Sequence, residues 1–168
     1  MKSKFFPCAI MIAATILLGA CKGEKRPDGL PKLFPCSVKI IQDGAPLSGA
    51  DVMFVAQDPN LMRWPAGGTT DETGVAKINT YGFAGAPEGV FKVLVVKTET
   101  TGSVSAEEAV KNMESGTVAN EERFDLVAQE YRDQTTTPLS IEVKTSGSND
   151  AEFDVGEAVR IPVRMPGT

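Results

Sequence analysis

The sequence predicts a mainly β protein: an antiparallel β-sandwich of about seven strands in one domain, with a short helical insertion. Short runs alternate apolar and polar side chains, turn residues recur roughly every eight to twelve positions, and helical spacing is confined to one stretch. The first run, CSVKIIQ from Cys36, places Val38 and Ile40 on one face and Ser37 and Lys39 on the other. After the turn DGAPLSG comes ADVMFVA, and these two runs are expected to pair as a hairpin. VAKIN (Val75 to Asn79) and VFKVLVVKT (Val90 to Thr98) read as the third and fourth strands, the latter apolar enough for burial on both faces.

From Ser103 to Glu130 the pattern changes. SVSAEEAVKNMES carries a capping box, Ser105 with Glu108, and spaces Ala106, Ala109, Val110 and Met113 as one helix face. NEERFDLVAQEY does the same with Phe124, Val127, Ala128 and Tyr131, so a helical insertion is expected over about 103–131. Strands resume with PLSIEVKT, AEFDV and AVRIPVRM. The domain therefore spans 36–165, and a chain of this length builds one core without disulfides.

The N-terminus reads as an address. Lys2 and Lys4 precede an apolar stretch from Phe5 to Ala20, too short for a spanning helix and ending in small residues, as a secretion signal does. Leu18-Gly19-Ala20-Cys21 resembles the bacterial lipobox, which implies cleavage after residue 20 and a lipid on the sulfur of Cys21. Acyl chains contribute about 0.8 kcal/mol per buried CH₂, so two or three hold a protein on a bilayer. The expected location is the cell envelope, lipid-anchored. Lys22 stands where an aspartate would favour inner-membrane retention, which makes the outer membrane the expected home. Residues 21–35, charged and rich in Pro and Gly, read as a flexible tether with an r.m.s. reach of about 20 Å.

Composition excludes much chemistry. Losing Lys2 and Lys4 takes the 17 bases to 15 against 22 acids, a formal charge of −7, with no basic cluster for nucleic acid. Histidine is absent, which removes the commonest general base and zinc ligand and every Ser-His or Cys-His nucleophile. With Cys8 cleaved and Cys21 lipidated, Cys36 stands alone and is expected to pack as a small hydrophobe.

DGAPLSGADVMFV, GGTTDETGVAKI and GAPEGVFKVLVV together resemble the carboxypeptidase-regulatory-like and transthyretin-like (prealbumin-type) domains. The chain is also similar to small lipoproteins of planctomycete-type bacteria, which share an element like EYRDQTTTPLSIEV. The resemblance implies the sandwich and an accessory role, and its residues are those of turns. Gly44 and Gly49 supply turn angles, Pro46 presets φ, and Asp71 accepts amide bonds while Gly74 takes the left-handed position. The enzymatic branch of that superfamily, the hydroxyisourate hydrolases, depends on histidines and a Tyr-Arg-Gly-Ser tail, neither present here.

The expected function is a non-catalytic envelope module binding an unknown envelope protein or polysaccharide, with no cofactor and no metal. Its candidate contact residues are Trp64, Tyr81 and Phe83. Trp64 either packs under its loop or joins the other two as a platform for a sugar ring, the carbohydrate-binding alternative. The acidic insertion is the best candidate for a recognition surface; an enzyme using carboxylates alone is the second alternative, and packing between protein copies through exposed edge strands is a third. Lys39 is expected on a solvated face rather than in an isopeptide bond.

Overall fold

A computed structural model describes residues 25–102, 111 and 122–163. The protein is mainly β. Its strands are β1 (Leu33–Phe34), β2 (Ser37–Gln42), β3 (Ala45–Pro46), β4 (Asp51–Ala56), β5 (Ala66–Thr69), β6 (Val75–Lys77), β7 (Asn79–Thr80) and β8 (Phe83–Ala84). There follow β9 (Ala86–Pro87), β10 (Gly89–Val96), β11 (Thr98–Thr101), β12 (Glu122–Asp125), β13 (Ser140–Val143), β14 (Asp150–Asp154) and β15 (Ile161–Pro162). The described strands thus outnumber those expected, because Gly and Pro break long runs into short ones.

A six-stranded antiparallel sheet runs β13-β10-β4-β5-β7-β8. In the second sheet β14 lies parallel to β2, and β3 and β6 share the other edge of β2 end to end. Both sheets feed one hydrophobic cluster. Val52 and Phe54 of β4, Phe91, Val93 and Val95 of β10 and Val143 of β13 come from the first. Val38 and Ile40 of β2 and Ala76 of β6 come from the second. Each fully buried Val, Ile or Phe contributes about 1.5–3 kcal/mol, and ten such side chains suffice for a core with no disulfide. Phe54 and Phe91 meet at 5.5 Å in the middle of it.

The expected hairpin between the first two runs does not form. Asp43 and Gly44 both have positive φ, 52° and 73°, and this two-residue turn folds β2 back only onto Ala45–Pro46. The chain then swings through Gly49 (φ 66°) into the other sheet, where β4 pairs with β10 and β5. β2 instead takes the late strand β14 as its parallel neighbour, at the register Val38↔Ala151.

The second correction concerns the insertion. Ser103 to Glu121, apart from Lys111, lies outside the described residues. Glu122–Asp125, read as helix, is strand β12, paired with β11 at Glu99↔Phe124 and with β15. Phe124 and Val127 have the spacing of a helix face. They are buried because Phe124 points inward from the strand and Val127 after the strand has ended. Among the described residues after it, the only helical turn is a 3-10 turn at Gln129–Tyr131. The expected tether also joins the fold early. Leu30 is buried, and β1 pairs with β9.

β5 and β6 connect the two sheets, and their crossing leaves no room for side chains. A Cβ on Gly67 would meet the Val52 carbonyl oxygen at 2.6 Å, and one on Gly68 the Lys77 carbonyl oxygen at 2.4 Å. Gly68→Ala should therefore cost about 1–3 kcal/mol, read as a lower urea midpoint with unchanged slope. The surface control Gly147→Ala has open space at its Cβ but a φ of 88°, so it should lose only the smaller cost of the left-handed backbone.

Candidate functional site

The loop TTDETG is built from its own polar groups. Asp71 Oδ1 accepts bonds from the Thr73 amide (2.8 Å), the Thr73 hydroxyl (2.6 Å) and the Val75 amide (3.1 Å). Gly74 has φ 78°, and its carbonyl accepts the Ile40 amide at 2.9 Å. Thr70 is buried, donating to the Leu47 carbonyl and accepting the Ala50 amide. Asp133 repeats the device with the amide and hydroxyl of Thr135, a match that D-x-T spacing would have disclosed in the sequence.

A concavity of about 500 Å³ opens between the start of β2, the β6–β8 region and the loop before β14. Cys36, Ile78 and Ala84 line it beside Ser37, Asn79, Ser148 and Asp150. Asp150 accepts the hydroxyls of both Ser37 and Ser148. Asn149 is buried and locks the loop, its Oδ1 accepting the Lys144 amide and its Nδ2 donating to the carbonyls of Lys144 and Pro35.

The electrostatics of these groups favour holding over reacting. The Thr73 hydroxyl, with the Val75 and Thr73 amides, draws Asp71 below its ordinary value. Thr135 does the same to Asp133, and Ser148 and Ser37 to Asp150. A carboxylate stabilised in this way is a poor base. The Ser37 hydroxyl donates to one such carboxylate, that of Asp150. Burial, with the Asp150 charge second, pushes the Cys36 thiol up from 9.0 to about 11. Among the described residues no cluster of three acids or cysteines is placed to hold a metal ion.

Of the aromatic candidates, Trp64 and Tyr81 come together and Phe83 stands apart. Trp64 is 8% exposed, its ring edge-on to Tyr81 at 5.6 Å and 77°, with the Arg63 guanidinium 5.0 Å over its face. Tyr81 is 53% exposed and its hydroxyl reaches the Arg63 carbonyl at 3.4 Å. Phe83 is half-buried on β8. A buried Trp64 offers no open ring face for a sugar. The neighbouring loop leaves Met62 61% exposed, which no local pattern of residues discloses.

No protein family matches the chain, nor does any curated protein or any solved structure.

Two outcomes follow from the titrating groups. Asp71, Asp133 and Asp150 titrate below the ordinary 3.8 in the folded chain, so the stability they add is complete above that value. It drains as pH falls through the lower folded values. Urea midpoints should hold from neutral pH to about 5 and drop below 4, and the triple Asp→Asn variant should show a shallower acid limb. Raising Cys36 from 9.0 to about 11 cuts its thiolate roughly 100-fold. Iodoacetamide at pH 8 should label it at least about 100-fold more slowly in the native chain than in urea.

Proposed function

We propose that the protein is a lipid-anchored, non-catalytic β-sandwich module of the cell envelope that serves as a binding or structural element. One observation carries the reading. Leu18-Gly19-Ala20-Cys21 closes a secretion signal, and only nine residues later Leu30 is, among the described residues, the first buried side chain of a β fold. Such a spacing suits a domain held close to a bilayer by acyl chains on Cys21. The outer membrane is the home that Lys22 favours in a two-membrane cell.

The non-catalytic part of the reading is supported by how the polar groups are used. The three acids with shifted pKa are shifted downward by donors of nearby loops and strand ends, which is the opposite of what a general acid at neutral pH needs. The transthyretin-like assignment is supported by the turn residues of its pattern. Gly44, Gly49 and Gly74 all adopt positive φ, at the points where the chain reverses or changes sheet. A polysaccharide partner is the weaker reading, since Trp64 is buried and leaves Tyr81 without a companion platform.

Labelling producing cells with radioactive palmitate should mark the wild type and leave Cys21→Ala unlabelled. The intact mass of the mature protein should correspond to a chain beginning at Cys21 with added acyl groups. An unlabelled wild type overturns the anchor.

A further inference from the structure

Where the chain leaves the fold toward Cys21, it passes over an exposed knuckle. The Gly29 backbone lies against Arg63 and Trp64: a Cβ there would sit 3.6 Å from Arg63 Nη2 and 3.9 Å from Trp64 Cζ2. Beside them project Met62, 61% exposed, and Tyr81, 53% exposed. Tyr81 and Gly82 form the two-residue turn between β7 and β8, with φ of 52° and 79°. That turn favours Asn, Asp or Gly at its first position, and a bulky ring there is held against its backbone preference. Strain of this kind, kept at an exposed tip, points to a contact.

We propose that this knuckle, Met62, Arg63 and Tyr81, docks into the headgroup layer of the same bilayer that carries the Cys21 lipid, which fixes the domain's orientation on the membrane. The inference rests on the anchor proposed above. Gly29 stands eight positions after Cys21, a contour of at most about 29 Å, so the knuckle is held close to the surface. The side chains suit that depth. Tyr has an apolar body and a polar tip, Arg lays its stem on apolar surface with its charge in water, and Met is a flexible apolar filler.

Charge points the same way. Residues 22–35 carry four bases and two acids, whereas the rest of the mature chain carries 11 bases and 20 acids. An anionic surface attracts the tether end and repels the body, so the knuckle faces the lipid. Tyr81 thus gains a role as a surface anchor rather than a sugar platform.

The two exposed methionines among the described residues give the test its internal control. Met53 lies on β4, 43% exposed, and its row of the sheet runs through Gly67 to Asn79. Full-length lipidated protein in vesicles of phosphatidylethanolamine and phosphatidylglycerol is treated with hydrogen peroxide, and sulfoxide formation is followed by peptide mass spectrometry. On an open face Met62 oxidises ahead of Met53. Docking reverses the order, with Met62 several-fold slower, and Arg63→Gln with Tyr81→Gly restores it. Tyr81→Gly suits the positive φ, so that variant should remain folded.

Met62 ahead of Met53 on the vesicles, with Cys21 lipidated by intact mass, overturns the docking and leaves the anchor standing. An unmodified Cys21 overturns the anchor and the docking with it. Met62 open on vesicles but protected by isolated peptidoglycan assigns the face to a glycan and overturns the proposal.

Discussion

The fold depends on one close approach of backbones. Where β5 passes between β4 and the β6–β7 segment, Gly67 and Gly68 bring main chain against the carbonyl oxygens of Val52 and Lys77 at distances that no Cβ tolerates. This lets β5 pair with β4 and β7 while β6, only a few residues on, pairs with β2 in the other sheet. The chain changes sheets here over a single tight loop. Ala76 and Ile78, on either side of Lys77, are buried as a result, and side chains from both sheets close over them in one cluster.

The polar residues around that loop hold it in shape. Thr70 ties the end of β5 to Leu47 and Ala50, Asp71 gathers the donors of the loop, and Gly74 presses against Ile40 and Pro46. Hydroxyl and carboxylate therefore satisfy amides that would otherwise be left unpaired at a buried bend. The same pairing recurs at Asp133–Thr135 and in altered form at Ser37–Asp150–Ser148. A chain without histidine has put much of its acid and hydroxyl inventory into fixing loops. That is why the concavity beside Cys36 is lined by groups already engaged with one another.

Much of this was legible in the sequence, within limits set by physics. Alternation in CSVKIIQ and ADVMFVA placed Val38, Ile40, Val52 and Phe54 inside, and the T-D-x-x-G loop was readable because an Asx turn is made by neighbours. Strand partners were not readable. Asp43-Gly44 is a strong hairpin signal, yet it closes only a two-residue ladder, and the parallel pairing of β2 with β14 joins segments more than a hundred residues apart. Phe124 and Val127 had helical spacing, but pairing with β11 overrode it. At the candidate surface, sequence singled out Trp64 and Tyr81 together. It had no means of telling which ring lies beneath and which projects, since that depends on the φ of Tyr81 and on where Gly29 packs.

The ladder between β11 and β12 sets Thr101 opposite Glu122, so twenty intervening positions begin and end at one point on the surface. The entropy of closing such a loop rises by only about 0.6 kcal/mol for each doubling of its length. The described strands of both large sheets all lie outside that stretch. A change of length between those two ends therefore leaves the pairing of β11 with β12 as the point where the chain must return.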